Sequence, residues 1–316
     1  MVALARSRSE ARAARDFATA DQLRAQIEAA GWRVVDRGVE FKLTPARPAD
    51  IADGAGVRYG ASASVPSRLA EPPTTPATVV LTATDWPDDL ARTLAGLQAH
   101  LPVATHVVIV ADDPSSAQAE ALVAIEAGLV SGSGSGSGSE MIWTSARLGH
   151  AAALNAGIRR AVGEIVVIVD ASVEPSGDII TPLLDGLRDP DVAVAGGWGL
   201  LSADLRRFQQ APAGNVAGIE GDVLAFRRAD YIARGPLDEH FRFYRHLDIW
   251  WSLVLRDEGE GVPPRRAVAV SLPAMRHEHR DWASISQAEG GRLSRRNFYR
   301  IIDRFGRRRD LAVAPS

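Results

Sequence analysis

Along residues 3–30 apolar positions return near helical spacing, at Leu4, Ala11, Ala14, Phe17, Ala20, Leu23, Ile27 and Ala30. That predicts one helix-forming stretch broken near Thr19, with Asp21 capping a second helix and Gly31 stopping it, so a helical hairpin. At Trp32 the period changes to two. Trp32–Leu43 alternates around a turn at Asp36–Gly38 and reads as a small β-hairpin. Residues 44–77 are rich in Pro, Ala, Gly and Ser and read as a linker or as a segment wrapped over the next domain. The expected division is an appendage over 1–45, a linker over 46–76 and a main domain over 77–310.

From residue 77 strands and helices alternate. Thr78–Ala83 is a buried strand, 88–100 a helix with Leu90, Leu94 and Leu97 on one face, Thr105–Ala111 a second strand, and Ser115–Leu129 a second helix. Within Arg147–Ile158 a Gly-containing turn opens an Ala-rich helix that ends near a glycine and precedes the apolar strand Glu164–Asp170. A helix over 178–187, strands at 192–195, 222–227 and 268–272, a helix within 241–257 and a closing helix over 293–305 complete the pattern. Strands alternating with helices predict an α/β domain with a doubly wound, mainly parallel sheet. The unbroken Gly-Ser alternation of Ser131–Ser139 reads as an engineered flexible linker replacing a native loop, with a natural low-complexity loop as the alternative.

Composition adds exclusions more than assignments. The chain has 316 residues, 46% hydrophobic and 24% charged, with a net charge of −3, so bulk charge argues for neither nucleic acid nor membrane. Without cysteine there are no disulfides and no thiolate chemistry, and a metal would need Asp, Glu, His or water. No apolar run reaches the roughly 18 residues of a membrane span, and no signal peptide is visible. A cytoplasmic protein is the expectation, with membrane-peripheral docking as the alternative. Few Asn, no Cys and a single lysine, Lys42, fit a thermophile or simply a GC-rich codon bias.

The chemistry concentrates where strands end. The first strand ends at Thr82-Ala83-Thr84-Asp85, the second at Asp112-Asp113-Pro-Ser-Ser, and Arg147-Leu-Gly149-His-Ala-Ala-Ala-Leu-Asn155-Ala-Gly157 leads into the strand that delivers Asp170. In open α/β sheets that edge binds ligands. Taken in this order, 77–310 resembles the family 2 glycosyltransferases of the GT-A fold, which carry an N-x-G-x-x-x-A-x-N-x-G stretch and then a strand ending in Asp-x-Asp. The resemblance implies an inverting transferase using a nucleotide-diphosphate sugar, a UDP- or GDP-sugar, and an unknown hydroxyl acceptor: a sugar, a lipid-linked sugar or another alcohol. It places Ala83, Asp85 and Asp112 or Asp113 at the base and ribose, Arg147, Gly149 and Asn155 at the diphosphate and ribose, and Asp170-Ala171 at the donor.

The family's second carboxylate is Ser172 here, a poor ligand for Mn²⁺ or Mg²⁺. Either Asp170 holds a metal with a later histidine, or arginines neutralise the diphosphate, or the protein is an inactive relative; Glu174 is a further substitute. We expect weakened or altered metal use. His277 and His279, two apart on an extended segment, would point the same way and share the metal with Asp170. The family's Glu-Asp-x-Asp-Leu matches Arg245-His246-Leu247-Asp248-Ile249, so the base is Asp248 or His246, with Asp248 favoured and His246 as an acceptor-orienting group. Glu220 and Gly221 begin an acceptor-side element. Trp198 and Trp250 either stack on sugar or belong to the core. The arginines of 292–309 form a basic helix face, solvated or docking on an anionic acceptor, phospholipid or RNA. The run Ala11–Arg24 resembles the C-terminal tail of cysteinyl-tRNA synthetases. The alternative function is thus a non-catalytic nucleotide- or partner-binding module, RNA-associated through that arm, although no aromatic interleaving supports nucleic-acid binding.

Overall fold

The computed structural model describes residues 1–37, 40–45, 47–54, 56–102, 104–131 and 138–315. The chain opens with a helical hairpin, α1 (Val2–Ala13) and α2 (Phe17–Ala29). The break falls earlier than the periodicity suggests. Arg15 takes a left-handed φ of 60°, and Asp16, not Asp21, caps α2 by accepting the Thr19 N–H. Gly31, at φ 79°, follows the helix end as expected. β1 (Trp32–Arg37) and β2 (Glu40–Pro45) then pair antiparallel. The strand continues through Arg37, so Asp36 and Arg37 are strand where a turn was expected, and the rest of that turn falls on residues outside the described ones. Buried Arg8 and exposed Arg12 both hold Asp36, at 2.8 and 2.6 Å, tying the hairpin to α1.

The stretch read as a linker contributes to the main sheet. β3 (Ile51–Asp53) and β4 (Gly56–Tyr59) pair with each other, and β4 later runs parallel to a strand of the main domain. That domain continues with β5 (Thr75–Ala83), α3 (Pro87–His100), β6 (Thr105–Ala111), α4 (Ser116–Ser131), β7 (Ser139–Thr144), α5 (His150–Ile158) and β8 (Gly163–Val169). Of the Gly-Ser alternation, residues 132–137 lie outside the described residues; Ser131 ends α4 and Ser139 opens β7. The second half holds β9 (Val173–Pro175), α6 (Ile180–Gly186), β10 (Val192–Gly196), β11 (Gly199–Leu201), β12 (Gln209–Ala211), β13 (Gly214–Val216), β14 (Gly218–Ile219) and β15 (Val223–Arg227). It closes with α7 (Arg228–Arg234), α8 (Leu247–Arg256), β16 (Arg266–Ala269), β17 (Ala274–Arg276), α9 (Arg280–Ala283) and α10 (Gln287–Phe305).

Ten strands form one sheet in the order β13-β16-β10-β15-β8-β5-β6-β7-β4-β3. Its centre, from β8 through β4, is parallel, while β15 lies antiparallel between β8 and β10. Parallel strands are covered on both faces and therefore read as continuous apolar runs; all seven residues of β6 are buried. Alternate side chains feed two apolar layers. Val80, Val108, Val110, Val166 and Ile168 pack under α5 and α8, and Val79, Leu81, Ile109 and Val167 pack on the other face with Leu90 and Leu97 of α3. Because β5, β6 and β8 run parallel, Ala83, Asp112 and Asp170 all emerge at one sheet edge. A small antiparallel pair, β9 with β17, matches Arg276 to Val173 and so draws residues 277–279 back over Asp170. No helix among the described residues is long and apolar enough to cross a membrane.

Candidate active site

Two adjoining cavities open at this edge. The smaller, about 300 Å³, lies over the ends of β5, β6 and β8 and is lined by Ala83, Asp85, Asp112, Arg147, Gly149, Asp170 and Ala171 among others. The larger, about 550 Å³, is lined by Glu220, Gly221, Asp222, His246 and Asp248. His150, Asp170, Tyr244 and His279 belong to both, forming the wall between them. Both volumes suit a small-molecule ligand.

In the smaller cavity most expected residues come together. Asp112 is buried and accepts the backbone N–H groups of Leu148 (2.7 Å) and Gly149 (3.1 Å). It therefore braces the turn before α5 and leaves Ser115 to accept the Gln118 N–H in the first turn of α4. Burial pushes its carboxyl above the usual range, against those hydrogen bonds. Arg147 pairs with Asp85 at 3.2 Å and donates to the Asp113 carbonyl at 2.9 Å. Asp113 itself turns through φ 47°, with its N–H on Thr144. Gly149, at φ 95°, starts α5 where any Cβ would stand 3.0 Å from Arg242 Cα. The first N–H groups of α5 are taken by the chain that crosses there: His150 N–H bonds the Arg242 carbonyl and Ala151 N–H that of Phe241.

Asn155, given to the diphosphate and ribose by the resemblance, lines neither cavity. Its amide is buried and fully engaged, donating to the Leu237 carbonyl and Glu239 and accepting from Tyr231 Oη and Leu237 N–H. It lies on a helix whose residues 151–158 are all buried, so it locks α5 to the 231–239 segment. The histidine pair also separates. After β17 the His277 N–H bonds the Ser172 carbonyl and its ring meets Glu174 at 2.7 Å, whereas His279 caps α9 and turns its Nε2 to Asp170 Oδ2 at 3.3 Å. Burial opposes the Asp170 charge, but His279 and the Ser172 backbone N–H, 2.8 Å away, outweigh it and hold the carboxyl far below the usual range. His279 is raised in turn, burial being outweighed by Asp170.

Two ligands at right angles on one small divalent ion stand about 3 Å apart, so Asp170 and His279 are placed to share one. Among the described residues no group of three or more acidic or imidazole side chains could do so. The donor set thus fits a cation held by two protein groups and completed by ligand oxygens. Ser172 lines the same cavity, and its buried Oγ has no partner among the described residues.

In the larger cavity Asp248 sits in the first turn of α8, accepting N–H bonds from Gly221 (2.9 Å) and Ile249 (2.8 Å). Burial, with Glu220 and Asp222 adding to it, pushes its carboxyl up to about 6. His246, at φ 70°, contacts Ser294 Oγ through Nε2 at 2.8 Å, and burial pushes it down to about 4. Arg276 ion-pairs with both Glu220 and Asp222. Of the tryptophans, Trp250 is 9% exposed and packs between Phe241 and Phe305, a core position away from either cavity. Trp198 lies under the Arg276 guanidinium at 4.8 Å, not on a cavity wall. Among the described residues the appendage places none in either cavity.

Several lining residues went unread in the sequence. His150 directly follows Gly149, and Asp222 follows Gly221, so both were within reach. Tyr244, stacked on His279 with ring centroids 3.8 Å apart, carries no sequence signal at all. Arg276 lines neither cavity and enters only through its ion pairs with Glu220 and Asp222.

Residues 78–236, half the chain, match the family model described as glycosyl transferase family 2. Among solved structures, one of GalNAc-T7 with UDP, GalNAc and Mn²⁺ superposes with a TM-score of 0.57 at 13% identity, covering 72% of this chain and 48% of that one. The chain thus spans about half the length of that structure, whose fold it shares. A mannosyltransferase from Pyrobaculum calidifontis in complex with GDP-Man and Mn²⁺ superposes at 0.47, with 20% identity over 66% of this chain and 59% of that one. A stretch of 47 residues is 51% identical to a cysteine–tRNA ligase of Opitutus terrae, 15% of this chain and 10% of that protein.

Proposed function

The chain belongs to glycosyl transferase family 2, and from that premise we propose that it transfers a hexosyl group, with inversion, from a UDP- or GDP-sugar to a hydroxyl acceptor. In this reading the smaller cavity takes the nucleoside diphosphate and the larger one the acceptor. The sugar lies at their shared wall of His150, Tyr244 and His279.

The observation that carries the reading is Asp248. A carboxylate held near 6 faces the acceptor cavity beside the wall where the sugar would sit, and a base works best with a pKa near the operating pH. Asp248 takes the acceptor hydroxyl proton as that oxygen bonds to the anomeric carbon. The bond from that carbon to the diphosphate oxygen breaks, and the nucleoside diphosphate leaves with the electron pair. The bonds from Gly221 and Ile249 fix the carboxylate while this happens. His246, down near 4 and engaged with Ser294, is a poor proton acceptor and instead shapes the cavity. Asp170 and His279 would hold a divalent ion, which when bound offsets charge gathering on the leaving diphosphate. Arg147 adds fixed positive charge at the mouth of the smaller cavity.

Calorimetric titration of UDP and GDP, with and without Mn²⁺, tests the donor assignment, and release of sugar from the matching donor tests turnover. Binding of neither nucleotide would overturn the reading. Binding without turnover, over a range of acceptors, would leave a nucleotide-binding module.

A further inference from the structure

We propose that Gln118 reads the base of the donor nucleotide by donating its side-chain N–H to a base carbonyl oxygen; the proposal rests on the nucleoside-diphosphate reading above. Gln118 lies in the first turn of α4 and lines the smaller cavity. It is 1% exposed, yet its Nε2 has no hydrogen-bond partner among the described residues. Native proteins pair nearly all such groups, so an orphan at a cavity marks a place where a ligand supplies the missing atom.

The neighbouring acceptors are already committed. The Asp112 carboxylate holds Leu148 and Gly149, with Thr144 Oγ at 3.3 Å. The Ala83 carbonyl takes the Asp112 N–H and the Thr84 carbonyl that of Ser115. This end of the cavity therefore offers a donor and requires an acceptor from the ligand. The sheet supplies the scale. Asp112 directly follows β6 and Gln118 lies in the helix after it, while Asp170 directly follows β8, with β5 between the two strands. Two strand spacings are about 10 Å, comparable to the reach from diphosphate across ribose to base. With the diphosphate at Asp170 and His279, the base falls at Gln118. Uracil and guanine present ring carbonyls there; adenine has none.

The test is calorimetric titration of UDP, GDP and ADP, each with Mn²⁺, against the parent and Gln118→Leu. The parent should prefer UDP or GDP over ADP. Loss of one neutral hydrogen bond weakens binding by about tenfold, so Gln118→Leu should lose about that factor for the preferred nucleotide and none for ADP. Its melting temperature should equal or exceed the parent's, because the group removed was unpaired. Gln118→Met removes the same donor and serves if the leucine variant does not fold. Unchanged preference in a folded variant overturns the role of Gln118 while leaving nucleotide binding intact. A parent that binds none of the three overturns the donor reading itself.

Discussion

Asp248 should be costly to the folded protein and necessary to its chemistry, and one substitution, Asp248→Asn, separates the two. Burial moves its carboxyl from the ordinary 3.8 to about 6. A tenfold change in proton affinity is worth ~1.4 kcal/mol, so holding the group ionised costs about 3 kcal/mol of stability well above pH 6. Because the folded pKa is raised, the group's contribution is fully present below about pH 4 and is lost as pH rises through about 6. About half of that loss develops between pH 5 and 8. Asparagine keeps the shape and removes the charge. It can accept only one of the N–H bonds from Gly221 and Ile249, a penalty of ~1 kcal/mol that does not vary with pH. The melting temperature of Asp248→Asn relative to the parent should therefore climb by about 2–3 °C between pH 5 and 8. The same variant should lose about 10²–10⁴-fold in transfer rate with donor affinity retained, and parent activity should fall as pH drops through about 6. Parallel melting curves would show that Asp248 is not held as an unfavourable charge; retained turnover would remove it from the mechanism.

Four further tests probe the surrounding assignments. Arg276→Met removes the cation shared by Glu220 and Asp222, so the acid limb of the pH–rate profile should move to higher pH, by up to about one unit. Asp170→Asn and His279→Ala should each abolish any effect of Mn²⁺ on UDP or GDP affinity in calorimetry, whereas His277→Ala, turned toward Glu174, should preserve it. Asn155→Ala strands the buried Leu237 N–H and Tyr231 Oη and should cost about 3 kcal/mol in urea unfolding with donor affinity unchanged. Gly149→Ala forces an L side chain to φ 95° against Arg242 and should cost about 1–3 kcal/mol while weakening donor binding.

The half of the site that was legible in the sequence is the half built on parallel strands. β5, β6 and β8 are buried on both faces, so each is an unbroken apolar run whose end is visible, and one topological rule then collects Ala83, Asp112 and Asp170 at a common edge. Sequence position alone could not say which polar side chains beyond those ends stay free for a ligand. Asn155 matches the family pattern yet is consumed by Leu237 and Tyr231, a segment about eighty residues away. Asp112 matches it too and spends most of its capacity bracing the turn before α5. The reverse holds for Gln118, which matches nothing and is left unpaired. The period-two expectation for His277 and His279 failed for a related reason. It assumes a continuing strand, but β17 stops at Arg276, the His277 N–H is taken by Ser172, and His279 begins a helix. The larger cavity was least legible because much of its lining comes from short, irregular pieces between residues 200 and 250, where Tyr244 acquires its place only by stacking on His279. At such positions function follows from which hydrogen-bonding groups the fold leaves unsatisfied, a property of the packed chain.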